Sequence, residues 1–168
     1  MIRAAQKSDA GAIAEIHVQT WQRAYENLIP GSYLASLSVK ERERNWQQAI
    51  EKEEAEVLLS ESNSGVSGFI AFGACPDTNT NPETGEIAAI YVLPEFWSTG
   101  IGQELWKAAK SRLVERGFST AVLWVLSENA RAIQFYRSVG FTPDLTSEKE
   151  INIGGKALKE IRFEAAIG

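Results

Sequence analysis

The stretch Glu86–Leu93, reading Glu-Ile-Ala-Ala-Ile-Tyr-Val-Leu, constrains the fold of this chain more than any other. It is almost wholly apolar, so it is predicted to be a strand in the middle of a sheet, covered on both faces. Pro94 follows it, and Gly100 and Gly102 come soon after. Ile101, Leu105, Ala109 and Leu113 then recur at i, i+4 spacing, the mark of a long helix stopped by Gly117. Thr120–Leu126 is a second buried strand. Strand, helix and strand in that order make a crossover unit around which the rest must assemble.

On the N-terminal side, Ile2–Ala4 is a short strand, and Asp9 is placed to cap a helix with Ile13, Ile16, Thr20 and Ala24 on its apolar face. Pro30 and Gly31 break that helix. Ser38 with Glu41 makes a capping box for the next, which runs through Trp46 and Ile50. Val57–Glu61 and Val66–Cys75 flank Ser62-Asn63-Ser64-Gly65 and form a hairpin. Pro76–Gly85 is a mobile loop between strands. After Thr120–Leu126 come a short helix, Ala130–Val139, ended by Gly140, and a hairpin of Ile151–Ile153 and Ala157–Glu164 around Gly154-Gly155. The order β-α-α-β-β-β-α-β-α-β-β implies an α+β (mixed α/β) fold. Its central sheet is mixed but mostly antiparallel, with about seven strands flanked by about four helices, and it is not doubly wound.

Composition sets the outer limits. The 168 residues, 44% hydrophobic and 23% charged, fit one domain spanning residues 1–168. Seventeen Lys and Arg against 22 Asp and Glu leave a net charge of -5. That sign argues against nucleic acid and mildly favours cationic partners such as amines. A lone Cys75 forms no internal disulfide, and a lone His17 builds no His-rich metal site, so metal-free chemistry is expected. The longest apolar runs, Ile87–Leu93 and Ala121–Leu126, fall far short of the roughly 18 residues of a membrane span. Arg3, Lys7 and Asp9 interrupt any signal-peptide core. A cytoplasmic protein with no membrane partner is the expectation.

The chemistry concentrates in Pro94-Glu95-Phe96-Trp97-Ser98-Thr99-Gly100-Ile101-Gly102. Two glycines at a helix start let backbone N–H groups approach a ligand, and the helix N-terminus favours an anion such as pyrophosphate. A P-loop pattern is absent. A dinucleotide fingerprint fails because Leu105 stands at its third glycine, and the glycines come too late after the strand. A plain helix start remains the bland alternative.

This segment resembles the acyl-coenzyme-A signature of the GNAT superfamily of N-acetyltransferases, Arg/Gln-x-x-Gly-x-Gly/Ala after a central strand. Here it reads Trp97-Ser98-Thr99-Gly100-Ile101-Gly102. The likeness extends downstream to Asn129-Ala130-Arg131-Ala132-Ile133-Gln134-Phe135-Tyr136 and Val139-Gly140-Phe141, and upstream to His17–Leu37 with Trp21, Tyr25 and Leu34. It departs at Trp97, where the family carries Arg or Gln.

The resemblance implies acetyl-CoA as acyl donor and a small-molecule or peptide amine as acceptor, with direct attack in a ternary complex. It implies a coenzyme site made of Tyr91, Val92, Trp97, Ser98, Thr99, Gly100, Ile101, Gly102, Asn129, Ala132 and Tyr136. Tyr136 is then the acid beside the sulfur, or else an aromatic core residue. Glu86 is the base, through a water, or else an ordinary strand end; Glu95 and Glu128 are weaker alternatives. The N–H of Val92 becomes the oxyanion donor at a bulge that splays this strand from the next, and the pantetheine arm lies along Tyr91–Val92. Asn129 both caps its helix and contacts the coenzyme. Trp21 and Tyr25 line the acceptor pocket or pack as core. Cys75 is expected as a buried small hydrophobe and His17 as a core histidine. A homodimer is a further implication of the family. A non-catalytic acyl-CoA sensor, or a structural domain with no coenzyme site, would keep the fold without the chemistry.

Overall fold

The computed structural model describes residues 1–78 and 80–168. Asn79, in the predicted Pro76–Gly85 loop, lies outside the described residues. The elements in chain order are β1 (Ile2–Ala4), a 3-10 turn (Lys7–Asp9), α1 (Ala10–Ala24), α2 (Gly31–Ala35), α3 (Val39–Glu51), β2 (Glu56–Ser62), β3 (Gly65–Ala74) and β4 (Thr84–Val92). A second 3-10 turn (Pro94–Phe96), α4 (Ile101–Glu115), β5 (Thr120–Leu126), α5 (Ala130–Ser138), β6 (Thr142–Ile153) and β7 (Lys156–Ala166) complete the chain.

The strands form one sheet in the order β1-β2-β3-β4-β5-β7-β6. Among the described residues only β4 and β5 pair in parallel; every other pair is antiparallel. The expected mixed, mostly antiparallel sheet of seven strands is therefore present. The crossover after β5 reaches β6 across an intervening β7, so it adds no second parallel pair.

Strand parity distributes the core over both faces. Ile70, Phe72, Ile87, Leu123 and Val125 pack with Leu105, Ala109 and Leu113 of α4. Phe69, Ala71 and Leu59 pack on the other face with Ile13 and Ile16 of α1, and α3 adds Trp46 and Ile50.

Four local expectations are corrected. Asp9 does not cap α1 with its side chain; its carboxylate grips Arg3 at 2.9 Å through both oxygens and accepts from Gln6 N at 2.7 Å. Strong ion pairing with a partner on β1 outcompetes the local cap. Helix α1 ends at Ala24, well before Pro30, and Pro30 instead starts α2, since a proline suits a helix entrance. The short α2 brings the α-helices among the described residues to five, beside the about four expected. At Ser38 only half of the capping box forms, Oγ accepting from Glu41 N at 3.2 Å. Finally, β6 begins at Thr142 rather than Ile151, because it is an edge strand with little apolar alternation to read.

His17 is a core residue, as expected. Its Nδ1 accepts from Trp46 Nε1 at 3.1 Å, and its ring stacks on Tyr91 with centroids 5.2 Å apart. Burial, reinforced by the nearby Arg42 charge, holds its pKa down at about 4. The unfolded chain, with an ordinary imidazole near 6.5, then binds more protons than the folded one between those values. The His17 contribution to stability should be full above about pH 6.5, drop by about 3 kcal/mol as pH falls toward 4, and change little below. Urea denaturation at neutral and at mildly acid pH, with NMR titration of this sole histidine, checks the expectation. An unshifted imidazole pKa would refute it.

Candidate active site

Strands β4 and β5 pair only where Thr84–Glu86 meets Thr120–Val122, yet β4 runs on to Val92 and β5 to Leu126. The reason lies in β4. Ala89 pairs with Ala71 and Ile87 with Phe72, which leaves Ala88 as an extra residue and bends the strand. Past the bulge the two strands part. A cleft of about 800 Å³ fills the wedge between them.

The exposed edge of β4 is polar. Leu93 N donates to Ser67 O at 2.8 Å, just beyond the Gly68–Val92 pair. That bond marks Gly68–Val92 as a non-hydrogen-bonded pair, so the N–H of Val92 points away from β3 and into the wedge. By strand parity the N–H of Ile90 points the same way. Ile90 was missed in the sequence, although its i, i+2 relation to Val92 was the available signal. The Val92 carbonyl, facing the same side, accepts from Trp97 Nε1 at 2.8 Å.

The loop after β4 closes one end of the cleft. Ser98 and Gly100 are both left-handed, with φ of 62° and 93°. Gly100 is the N-cap of α4 and offers no side chain to the helix start. The first N–H groups of α4, at Ile101, Gly102 and Gln103, therefore have no intrahelical acceptor and open onto the cleft, which these residues line. Gly102 has a different reason to be glycine: a Cβ there would stand 3.1 Å from the Phe135 ring of α5. Trp97, in the position where a basic or amide side chain was expected, ties the loop to β4. The guanidinium of Arg131 lies over its ring, 3.4 Å from the centroid. Arg131 sits inside a motif quoted from the sequence but was given no role there.

Helix α5 forms another wall. Asn129 caps it, its side chain accepting from Ala132 N at 3.3 Å. Tyr136 faces the cleft with its ring against Phe135 and Phe141. Burial pushes its phenol well above the ordinary value, and Tyr91 adds to the shift. At the far end, Trp21 Nε1 donates to Tyr91 Oη at 3.0 Å, and Trp21 meets Tyr25 edge-on at 5.1 Å. Both line the cleft and both also pack against Ile29, Leu34, Leu126 and Leu158. Pocket and core are thus one surface here. Burial also raises the Tyr25 phenol, with Tyr91 and Tyr136 contributing.

Glu86 is half-buried where β4 and β5 begin to part. Its carboxyl is held above the ordinary range by desolvation and by Asp77, with Lys149 opposing. Every site residue expected from the sequence borders this cleft; Glu95 and Glu128 are exposed and lie outside its lining. Cys75 corrects an expectation, being half-exposed rather than buried. It groups with Asp77 and Glu86, one ligand atom from each lying within 4.8 Å of the others. A bulged strand edge, a helix N-terminus and a buried phenol thus surround one wedge.

The chain belongs to the acetyltransferase (GNAT) family, whose model matches residues 12–141. It is 34% identical over 161 residues to YuaI of Bacillus subtilis, described as an uncharacterized N-acetyltransferase, covering 95% of this chain and 89% of that one. Among solved structures it resembles the PaiA N-acetyltransferase of Thermoplasma acidophilum in complex with coenzyme A, with TM-score 0.78, 19% identity, and 99% and 98% of the two chains covered. It also resembles YncA of Salmonella typhimurium, a putative acetyltransferase with acetyl-CoA, with TM-score 0.75, 24% identity, and 100% and 94% covered. Among the described residues no helix is long and apolar enough to cross a membrane.

Proposed function

We propose that this acetyltransferase moves an acetyl group from acetyl-CoA, a substrate consumed in each turnover, to a primary amine by direct attack with both substrates bound. The observation that carries the reading is the wedge at Ala88: it turns the N–H groups of Ile90 and Val92 toward a space bounded by Tyr136 and by the free amides of α4.

The amides of residues 98–103 suit a diphosphate. Arg131, stacked on Trp97, supplies the cation that position 97 lacks. Arg131→Ala should raise the coenzyme A Kd about three- to tenfold, with a weaker effect at high salt, by calorimetry. An unchanged Kd would remove Arg131 from the site. The pantetheine arm adds along the β4 edge beside Tyr91 and Val92, like an extra strand. Asn129 and Ala132 border it from α5, and Trp21 and Tyr25 line the acceptor's end.

The acceptor amine must lose a proton before it can attack. Glu86, through a water, takes it. The amine nitrogen bonds to the carbonyl carbon while Val92 N–H donates to the carbonyl oxygen. The carbon–sulfur bond then breaks, Tyr136 donates its proton to the departing thiolate, and the second proton shed by the acetylated nitrogen returns through water to the phenol. An ordinary phenol is already protonated at neutral pH, and the upward shift of Tyr136 leaves it so.

Because Glu86 works as a base only when ionised, and its folded pKa is raised, activity should fall as pH drops through a value above the ordinary carboxylate range. The kcat/KM profile of Glu86→Gln should lose that limb and fall about a hundredfold at its plateau. A limb that survives the substitution would exclude Glu86. The reading as a whole is tested by mass spectrometry of an amine panel with acetyl-CoA: acetylated amine should appear in step with free thiol, and thiol release without any acetylated amine would overturn it.

A further inference from the structure

An ammonium group of β6 that the reaction above does not use lies against a tryptophan of β5. Lys149 Nζ lies 3.8 Å from the centre of the Trp124 ring. Lys149 is opposite Glu160 in the β6–β7 pair, yet among the described residues it forms no ion pair within 4 Å with that glutamate or any other. The face of an indole attracts it instead. Trp124 is held in place from its edge, Nε1 donating to Asp77 Oδ2 at 3.4 Å. Trp124, Glu86 and Glu160 all line the cleft. Desolvation raises both glutamates, and Lys149 opposes the rise at each, so one ammonium serves two carboxylates.

Lys149 is also built to leave. Residues 145–148 loop out of β6, since Asp144 pairs with Arg162 and Lys149 with Glu160, leaving one residue of β7 opposite four. The Ser147 hydroxyl fills the gap by accepting from Arg162 N at 3.0 Å. Lys149 is the first residue after this loop, on an edge strand, and it is exposed.

We propose that the face of Trp124, flanked by Glu86 and Glu160, is an ammonium subsite of the acceptor for which Lys149 is the internal stand-in. The acceptor therefore carries a second positive charge besides the amine that is acetylated. A cation held on the indole cannot be the nucleophile, because an ammonium has no lone pair. The reacting amine lies across the wedge, at the β4 edge. This inference rests on the acetyl-transfer reading for the identity of the cleft and goes beyond it in naming dicationic amines as its acceptors.

The test is calorimetry on the coenzyme A-loaded protein with diaminobutane, and with butylamine as singly charged control. The diamine should bind about tenfold more tightly. Glu160→Gln and Trp124→Leu should each erase that advantage, in variants whose Tm confirms folding. Lys149→Met, which removes the competitor, should tighten diamine binding severalfold. Equal affinity for the two amines, or weaker diamine binding in Lys149→Met, would overturn the proposal. Binding needs no turnover, so the two readings fail separately. A diamine bound in the expected way but never acetylated would sink the acetyl-transfer reading alone. Acetylation of both amines with equal KM would sink the subsite alone.

Discussion

Tyr136→Phe is expected to lower kcat about a hundredfold while the coenzyme A Kd moves less than about twofold. The substitution removes one hydroxyl and keeps the ring, which meets Phe135 of the same helix and Phe141 just beyond it at centroid distances of 5.6 and 6.0 Å. Loss of an interaction made only as the thiolate departs falls on kcat, whereas loss of packing would fall on Tm and on Kd. Steady-state kinetics with calorimetry and a melting curve separate the two. Unchanged turnover would strip Tyr136 of its donor role.

Gly100→Val should raise the coenzyme A Kd at least about tenfold. At φ of 93° a β-branched side chain costs about 1–3 kcal/mol, so the loop must change course, and the amides at the start of α4 turn with it. Packing is not the cause, because a Cβ at Gly100 meets nothing within 4 Å. Gly102→Val makes the contrast: its Cβ runs into Phe135, so its main effect should be a lowered Tm. Normal coenzyme affinity in Gly100→Val would contradict the diphosphate assignment.

Much of the fold could be read before any coordinates because its central elements repeat at the periods of helix and strand. The strand at Thr84–Val92 and the helix at Ile101–Glu115 are both of this kind. Where hydrophobic burial was slight, the reading failed. The outer half of β6 contains Thr142-Pro143-Asp144-Leu145 and a loop-out, and its strand character comes only from pairing with β7. Asp9 looked like a helix cap because local sequence says nothing of Arg3 folding back over it.

The site divides in the same way. Gly100 and Asn129 were legible because a helix start and a helix cap follow from neighbours in sequence, whereas Tyr136 and Val92 were singled out only by the resemblance to the acetyltransferase family. Arg131 over Trp97, Ile90 beside Val92, and Glu160 with Trp124 and Lys149 were none of them assembled from the sequence. The last group joins β5, β6 and β7, whose registers are set by long-range ladders.

The chain's own order of residues thus determined the elements, their succession and the helix N-terminus that can meet a diphosphate, since these depend on contacts a few residues apart. Only the tertiary structure decided where β4 leaves β5 and which charges gather around Trp124. A bulge moves a strand edge by pairing one residue against two, and charged side chains from distant strands share a cleft only after the sheet has brought them together.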